Sequence, residues 1–414
     1  MRIAVLGAGT AGHMAVAHVS HYFSNASITH FYDPTNAPIG VGEGTTPAFT
    51  AWAQRVLGWD FDYLEANCDA TRKVGVVFEG WGRDDGEFTH FFGSAEGQAC
   101  HLSATKLATQ LASTSTATIL AERVDSITVR DATAHVATES GEHAFDFVFD
   151  ARGFPHTIDD QHVRLTCVPT DAAILVRGEP RPPRDRTRAV ARSHGWVFVI
   201  PLRTETAYGY VHSRLEADEA RADFEHFLGE ETVRVRTPRR SVPFPNFRRA
   251  AMCDGVTFSI GNQAAFIEPL EAASLGLTVL QLQVATFWML DRALGSENRS
   301  VSAINHALAS TIDEVASFVA WHYARGSRYE TPFWSRAAEQ FDEWLSARSE
   351  EHQSRFYSYV SRGRALPREL AFASSVDGVD RLLEPDLAQL DTFGGFPDAS
   401  FAKISHGIGF GSEI

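Results

Sequence analysis

The chain has 414 residues, 44% hydrophobic and 21% charged, with a formal net charge of −15. That length holds a large core and two intimately packed domains, and the composition is that of a globular protein, neither disordered nor fibrous. The acidic balance argues against a nucleic-acid partner, since phosphate contacts need clustered Lys and Arg, while four scattered cysteines without a CxxC pair fit reduced thiols in the cytoplasm.

Residues 2–6 read as a first strand and not a signal peptide, because the apolar run is short and ends in glycines. "GAGTAG", 7–12, opens a helix to about His21, and "ASITHFYD", 26–33, is the second strand. In such a βαβ unit Gly7 permits the tight turn, Gly9 lets the backbone approach a pyrophosphate and Gly12 allows close helix–strand packing. Thr10 and Ala11 lie with them at a helix N-terminus that faces the anion. Asp33 closes strand two, where an acid can bind ribose hydroxyls. An adenine dinucleotide is expected.

"RKVGVVFEGW", 72–81, reads as a buried strand from Val74 to Phe78 with Lys73 at its entrance, on the same side as Gly75 and Val77. Lys73 in such company is a surface cation lying over apolar surface, an ion-pair partner of Glu79 or Asp69, or an amine held in a dry pocket. "HLSATKLATQLAS", 101–113, reads as a helix, and 117–145 as a β-rich excursion.

"FDFVFDARGF", 145–154, is an apolar strand ending in Asp150 and then Gly153; "GVTFSIGNQAAFIEPLE", 255–271, is a strand ending in Gly261 before a helix start. Flavoprotein hydroxylase-type folds return two such segments to the ribityl chain and ring, which favours FAD over NAD; two ordinary strand turns are the plain alternative. Between them, "AAILVRG", "GWVFVIPL" and "AYGYVHSRL" supply strands of a substrate-domain sheet. The basic "RGEPRPPRDRTRAVAR", 177–192, reads as a proline-rich solvated loop or as a contact for an anionic partner. Segments 272–294, 301–325 and 334–348 read as long helices; the apolar stretch 272–290 carries Gln281 and Gln283 and reads as a core helix, with no membrane span.

The fold class is therefore α/β, with a Rossmann-like FAD-binding domain of flavoprotein hydroxylase type, an intertwined β-sheet substrate domain and C-terminal helices. The FAD-binding domain takes 1–165 and 250–300, the substrate-domain sheet 166–249, and the C-terminal helical region 301–414. A single GxGxxG leaves no separate NAD(P)H domain, and no metal site is expected.

Taken together these segments resemble the flavin-dependent tryptophan halogenase family over nearly the whole chain. "GVGEGTTP", 40–47, resembles the family's loop joining flavin site to substrate site, which brings Gly42 and Glu43 into the cofactor set. "RKVGVVFEGW" resembles the segment bearing the family's essential lysine, which falls on Lys73. "HFFG", 90–93, resembles a segment packing against an indole ring through His90 and Phe92. "GWVFVIPL", 195–202, resembles a Trp-x-Trp-x-Ile-Pro motif near flavin and substrate, with Trp196 and Phe198. "FIEPLEAAS", 266–274, carries the active-site acid at Glu271, and "HYARGSRYETPFW", 322–334, resembles a helix-end signature of the family.

The departures are specific. Phe198 stands where the motif has its second tryptophan, Ala272-Ala273-Ser274 where the family has Ser-Thr-Gly beside chloride, and His13 where a tryptophan is common. A long insertion before residue 101 that covers free tryptophan is largely missing, and the C-terminal region is short. The resemblance implies a flavin hydroperoxide, made from reduced FAD and oxygen, with Lys73 delivering the oxidant and Glu271 acting as base or stabiliser of the ring cation. With the chloride loop and cover altered, the leading expectation is a monooxygenase hydroxylating a tryptophan or indole-type ring, with a bulky peptide or protein substrate fitting the missing cover. The alternatives are a true halogenase using chloride or bromide, and a non-catalytic flavin-binding assembly factor. Reduced flavin comes from a separate reductase, as the resemblance implies, or from transiently bound NAD(P)H.

Overall fold

The computed structural model describes residues 1–35, 42–82, 86–92, 98–182, 185–295, 299–365, 396 and 398–409. A five-stranded parallel sheet forms the nucleotide-binding half, in the order Thr257–Ser259, Phe147–Asp150, Arg2–Leu6, Ser27–Phe31, Thr118–Leu120. Ile3, Ala4, Val5 and Leu6 are all fully buried, as a parallel strand covered on both faces requires. The helix Thr10–Tyr22 lays Met14, Ala15, Val16 and Val19 against it. A three-stranded antiparallel meander, Val124–Arg130, Thr133–Thr138 and Gly141–Phe145, closes the outer face.

The second half is a seven-stranded sheet in the order Arg240–Pro243, Ala172–Gly178, Thr206–His212, Gly195–Pro201, Arg186–Arg192, Gly75–Glu79, Glu87–Phe91. It draws its last two strands from the segment before residue 100, so the chain enters this sheet twice. Alternation along Gly195–Pro201 sends Val197 and Val199 under the helix Ala217–Glu230, where Phe224 and Phe227 cover them. Trp196, Phe198 and Ile200 face the other way, into the main core with the C-terminal helices.

The long helices run Ala273–Ala293, Val301–Trp321 and Pro332–Ser346. The first is long and apolar enough to cross a membrane, yet it buries Leu277, Leu282, Val284, Ala285 and Met289 in the core. Among the described elements before residue 270, three helices escaped the sequence reading, Pro47–Leu57, Phe61–Cys68 and Ala217–Glu230. The first two have ordinary signals: Pro47 starts the first and Gly58, at φ 71°, stops it; the Asp60 carboxylate caps the second at the Tyr63 N–H.

Three expectations need correction. Residues 101–103 are not helical: Ala99–Ser103 is a strand, and the helix begins at Ala104 behind the Ser103 cap. The basic stretch is not one loop. Its ends are the strands Ala172–Gly178 and Arg186–Arg192, and among its described residues Arg181 and Arg188 are committed to Glu231, Arg188 also to Glu79, and Arg192 to Asp223 and Glu230. Finally, Lys73 does not enter the strand of Gly75 and Val77. Thr71–Lys73 belongs to a separate three-stranded antiparallel sheet with Ala99–Ser103 and Gly42–Gly44. The ladder breaks at Val74, whose N–H binds the Asp185 carbonyl 2.6 Å away, and resumes at Gly75 in the large sheet.

Candidate active site

The glycine motif forms the turn its sequence demands. Gly7 has φ 103°, and a Cβ there would stand 2.4 Å from the Ala151 carbonyl oxygen. A Cβ on Gly12 would stand 1.8 Å from the Gly7 oxygen, an oxygen that also accepts a hydrogen bond from His30 Nε2 at 2.9 Å. Gly9 is the helix N-cap, with no side-chain cap bond and no acid in the first turn; the N–H groups at Thr10 and Ala11 keep the anion-binding polarity of a helix start. The space where a Gly9 Cβ would point is open, so backbone can approach a ligand there.

The carboxyl ends of three parallel strands meet beside this turn, with Leu6 in register with Asp150 and Asp150 with Ser259. Such an end is where α/β sheets bind nucleotides. Asp150 is held bidentately by Arg152; Gly153 has φ 89° with open space before it. Gly261, at φ 56°, lies so close to Ala11 that a Cβ would come within 2.5 Å of the Ala11 methyl, and Gln281 Oε1 accepts its N–H at 2.8 Å. Asp33 Oδ1 accepts from the Thr35 N–H and hydroxyl. The uncapped helix start, the open approach at Gly9 and the strand ends together fit an FAD. Of the loop predicted to join the two sites, residues 40–41 lie outside the described residues, as does Gly93 of "HFFG"; the backbone of Gly42 and Glu43 forms a strand against Ser103 and Leu102.

Lys73 is completely buried. Neither acid weighed for it from sequence is its partner: Glu79 binds Arg188, and Asp69 binds Lys106 and Thr204. Its Nζ donates to the Thr45 carbonyl at 3.1 Å and sits 4.6 Å from the centroid of the Phe92 ring. Burial pushes the ammonium down to about 8, against the opposing pull of Glu271 and Cys100. Gly44 lies between this amine and the acid's segment: a Cβ there would be 3.2 Å from Lys73 Nζ and 3.4 Å from the Ala272 methyl.

Glu271 ends the short 3₁₀ turn Pro269–Glu271, and Ala272 takes φ 55° before the helix Ala273–Ala293 begins. A left-handed alanine costs about 1 kcal/mol, and it turns the chain so that the carboxylate faces inward, fully buried. His90 Nδ1 lies 3.0 Å from both carboxylate oxygens, and His322 Nε2 lies 2.8 Å from Oε1. His90 Nε2 contacts the Ser400 hydroxyl at 2.8 Å. Burial alone would push the Glu271 carboxyl up; the His90 and His322 rings outweigh it and hold it well below the ordinary carboxylate range. Burial keeps His90 low, so it stays a neutral donor to an ionised acid.

Lys73, Phe92, His90 and Glu271 are thus brought together, with the His90 and Phe92 rings 5.4 Å apart. Trp196 and Phe198 lie in the neighbouring core: Trp196 packs 6.3 Å from Trp81, and the Phe198 ring occupies the space a Cβ on Gly209 would need. Sequence reasoning missed several members. Glu268, three residues before Glu271, is buried, accepts from Thr170 and from the Tyr323 hydroxyl at 2.6 Å, and is pushed up to about 7 by burial. The second acid of "EPLE" was legible, its environment was not. His322 stood inside a quoted motif, but a single histidine at a helix end carries no signal of its partner. Ser400 reaches His90 across 310 residues of sequence, a separation no local pattern encodes.

Comparison with known proteins bears on the family and the fold. The tryptophan halogenase family model matches residues 2–154 and 97–369. Tryptophan 7-halogenase RebH of Lentzea aerocolonigenes is 26% identical over 430 residues, covering 80% of this chain and 78% of its own. Tryptophan 6-halogenase SttH of Streptomyces toxytricini is 27% identical over 233 residues, spanning 51% of this chain and 44% of its own. Its crystal structure superposes with a TM-score of 0.78 at 20% identity, covering 98% of this chain and 90% of that one. The flavin-dependent halogenase BrvH of Brevundimonas sp. BAL3 gives 0.74 at 22% identity, with 99% and 90% covered. The two superpositions speak to fold alone; the family model, which matches most of the chain, identifies it as a member of the tryptophan halogenase family.

Proposed function

We propose that this protein is a flavin-dependent halogenase that places a chlorine or bromine atom on an indole-type ring. The observation that carries the reading is that a fully buried amine, Lys73, lies within electrostatic reach of a fully buried carboxylate, Glu271, with Phe92 and His90 beside them, in a chain that also carries a turn fit for FAD. When bound, FAD, reduced from outside and reacted with oxygen, supplies the two-electron oxidation that turns halide into hypohalous acid. The backbone at Gly9, Thr10, Ala11 and Gly12 would hold its pyrophosphate, and Asp33 its ribose.

The protein's own residues do the rest. Lys73, largely protonated at neutral pH given a value near 8, donates a hydrogen bond that orients hypohalous acid over Phe92 and toward the ring. The halogen–oxygen bond breaks as the ring carbon bonds halogen, and water leaves with a proton from the amine. Glu271, ionised, faces the cationic ring and takes the proton from the substituted carbon, restoring aromaticity. A halogenated arene cation is a strong acid, so a carboxylate held low is still base enough. His90 and Phe92 border the same space and would contact the ring; Trp196 and Phe198 would act from the adjoining wall. Thiols at all four cysteines are free and buried, in keeping with a cytoplasmic enzyme served by a separate flavin reductase.

Hydroxylation, the leading expectation from sequence, becomes the second reading. It keeps support from Phe198 and from Ala272-Ala273-Ser274, where the family's chloride loop is altered, and a peptide- or protein-borne tryptophan remains the bulky substrate class. The test is mass analysis of tryptophan, free indoles and tryptophan peptides incubated with reduced FAD, oxygen and either bromide or no halide. A bromine isotope pair on product supports halogenation; a halide-independent oxygen increment supports hydroxylation; no change with any substrate leaves the assembly-factor alternative.

A further inference from the structure

The two histidines that flank Glu271 are not equivalent. His90 meets a hydroxyl with its outer nitrogen, Ser400 Oγ at 2.8 Å. A hydroxyl can donate or accept, so His90 is satisfied as a neutral ring, Nδ1–H toward Glu271 and Nε2 accepting from Ser400. His322 meets a carbonyl with its outer nitrogen, Phe318 O at 2.9 Å from Nδ1. A carbonyl only accepts, so the proton of a neutral His322 is spent on Nδ1. Nε2 would then stand unprotonated 2.8 Å from a carboxylate oxygen, with both side chains fully buried. Among the described residues no hydrogen-bond partner is aligned with Nε2, and an electron-rich ring nitrogen beside a carboxylate oxygen at that separation, away from solvent, is unfavourable.

One proton resolves the contact. We propose that His322 carries a proton on both ring nitrogens, and that this buried cation is the positioning residue that keeps Glu271 ionised inside the reaction chamber. The charged groups facing this pair are accounted for. Lys73 lies across Gly44 on the small sheet; His90 stands on the strand Glu87–Phe91; Lys403, on the helix Asp398–Gly407, acts on His90. Glu268 faces His322 from the start of the 3₁₀ turn. The neighbours of the imidazole ring, Phe78 at 4.9 Å, Phe318 at 5.3 Å and Trp81 at 6.4 Å, are aromatic. Aromatic faces favour a cation over a neutral ring. The Nε2–H does not point straight at Oε1, so the contact is an ion pair more than an aligned hydrogen bond.

The catalytic consequence rests on the proposed role of Glu271; the proton itself does not. The experiment therefore has two arms. In the first, ¹⁵N-histidine spectra of the full-length protein, with FAD and without substrate, are recorded from pH 6 to 9. We expect one ring that stays doubly protonated at pH 8 and loses that signature in Glu271→Gln. Absence of any such ring, or its persistence unchanged in Glu271→Gln, overturns the proposal whatever reaction the protein catalyses. In the second arm, kcat is followed against pH for His322→Gln. Loss of the cation should move the acidic limb of the profile up by about one unit or more, because burial then dominates at Glu271. A profile reduced in height with its limbs in place means that His322 serves packing alone, which sinks the catalytic consequence. If the variant does not fold, the spectral arm still decides.

Discussion

Lys73 Nζ stands 4.6 Å from the centroid of the Phe92 ring while donating to the Thr45 carbonyl at 3.1 Å. Two further directions around the nitrogen remain for a donor to a ligand. A buried ammonium with one carbonyl partner is costly, and nothing in the fold requires it. Lys73→Met keeps the stem and removes the charge. We expect product formation to fall at least a hundredfold while the melting temperature holds or rises, by ~1 kcal/mol or more of stability at neutral pH. Calorimetry beside a bromination assay reads both; a drop in stability with full activity would refute the role given to the amine.

The same group sets a pH signature. Its folded value of about 8 lies below the ordinary 10.5, so the unfolded chain binds more protons at this site between those two values. Stability of the wild type then rises with pH across that window. The advantage of Lys73→Met is therefore greatest below pH 8 and shrinks toward pH 10.5. Activity moves the opposite way, falling as the ammonium is lost above about pH 8. A kcat profile flat through pH 9 would show that a charged amine is not needed.

Gly9 and Gly12 separate the demands of fold and cofactor. A methyl at Gly9 meets no protein atom within 4 Å, whereas one at Gly12 would strike the Gly7 oxygen at 1.8 Å. Gly9→Ala should leave the melting temperature of the FAD-free protein within about a degree and weaken FAD by tenfold or more. Gly12→Ala should unfold at lower temperature with or without FAD. Fluorescence titration with FAD and thermal melts would distinguish them; equal FAD affinity in Gly9→Ala would refute the pyrophosphate site.

Away from the site, Arg192 holds Asp223 and Glu230, and Asp223 also accepts from the Tyr210 hydroxyl at 2.8 Å. The arginine is nearly buried, so Arg192→Met leaves Asp223 desolvated without its cation. A loss of about 3 kcal/mol is expected, read by urea unfolding, with kcat unchanged in the folded fraction. A loss under 0.5 kcal/mol would class the network as ordinary surface charge.

Much of the fold was legible because its signals are local. Glycines at fixed offsets after Leu6, apolar strands running up to Asp150 and Gly261, and helical periodicity after Glu271 each specify structure within a few residues. Lys73, Glu271, His90 and Phe92 were found by motif resemblance; the hydrogen bonds and ring contacts that join them were not. The sequence reading ran Lys73 into one continuous strand because alternation cannot see a change of sheet, and Val74 gives no sign that its N–H leaves the ladder for Asp185. His322, Ser400 and Glu268 escaped because their partners arrive from other elements, and pairing across such separations is set by tertiary packing.

The break at Val74 has an engineering consequence. Position 73 is the last rung of one ladder and position 75 the first of another, so the amine is riveted to both pieces without belonging to a common lattice. Deleting or adding one amino acid between 71 and 73 would shift this short strand by one rung against Ala99–Ser103 and turn Lys73 to the opposite face of the small sheet. Chimeras that splice the front of this chain to a relative should therefore keep 71–79 from a single parent, and place their crossover in the exposed stretch around 114–117.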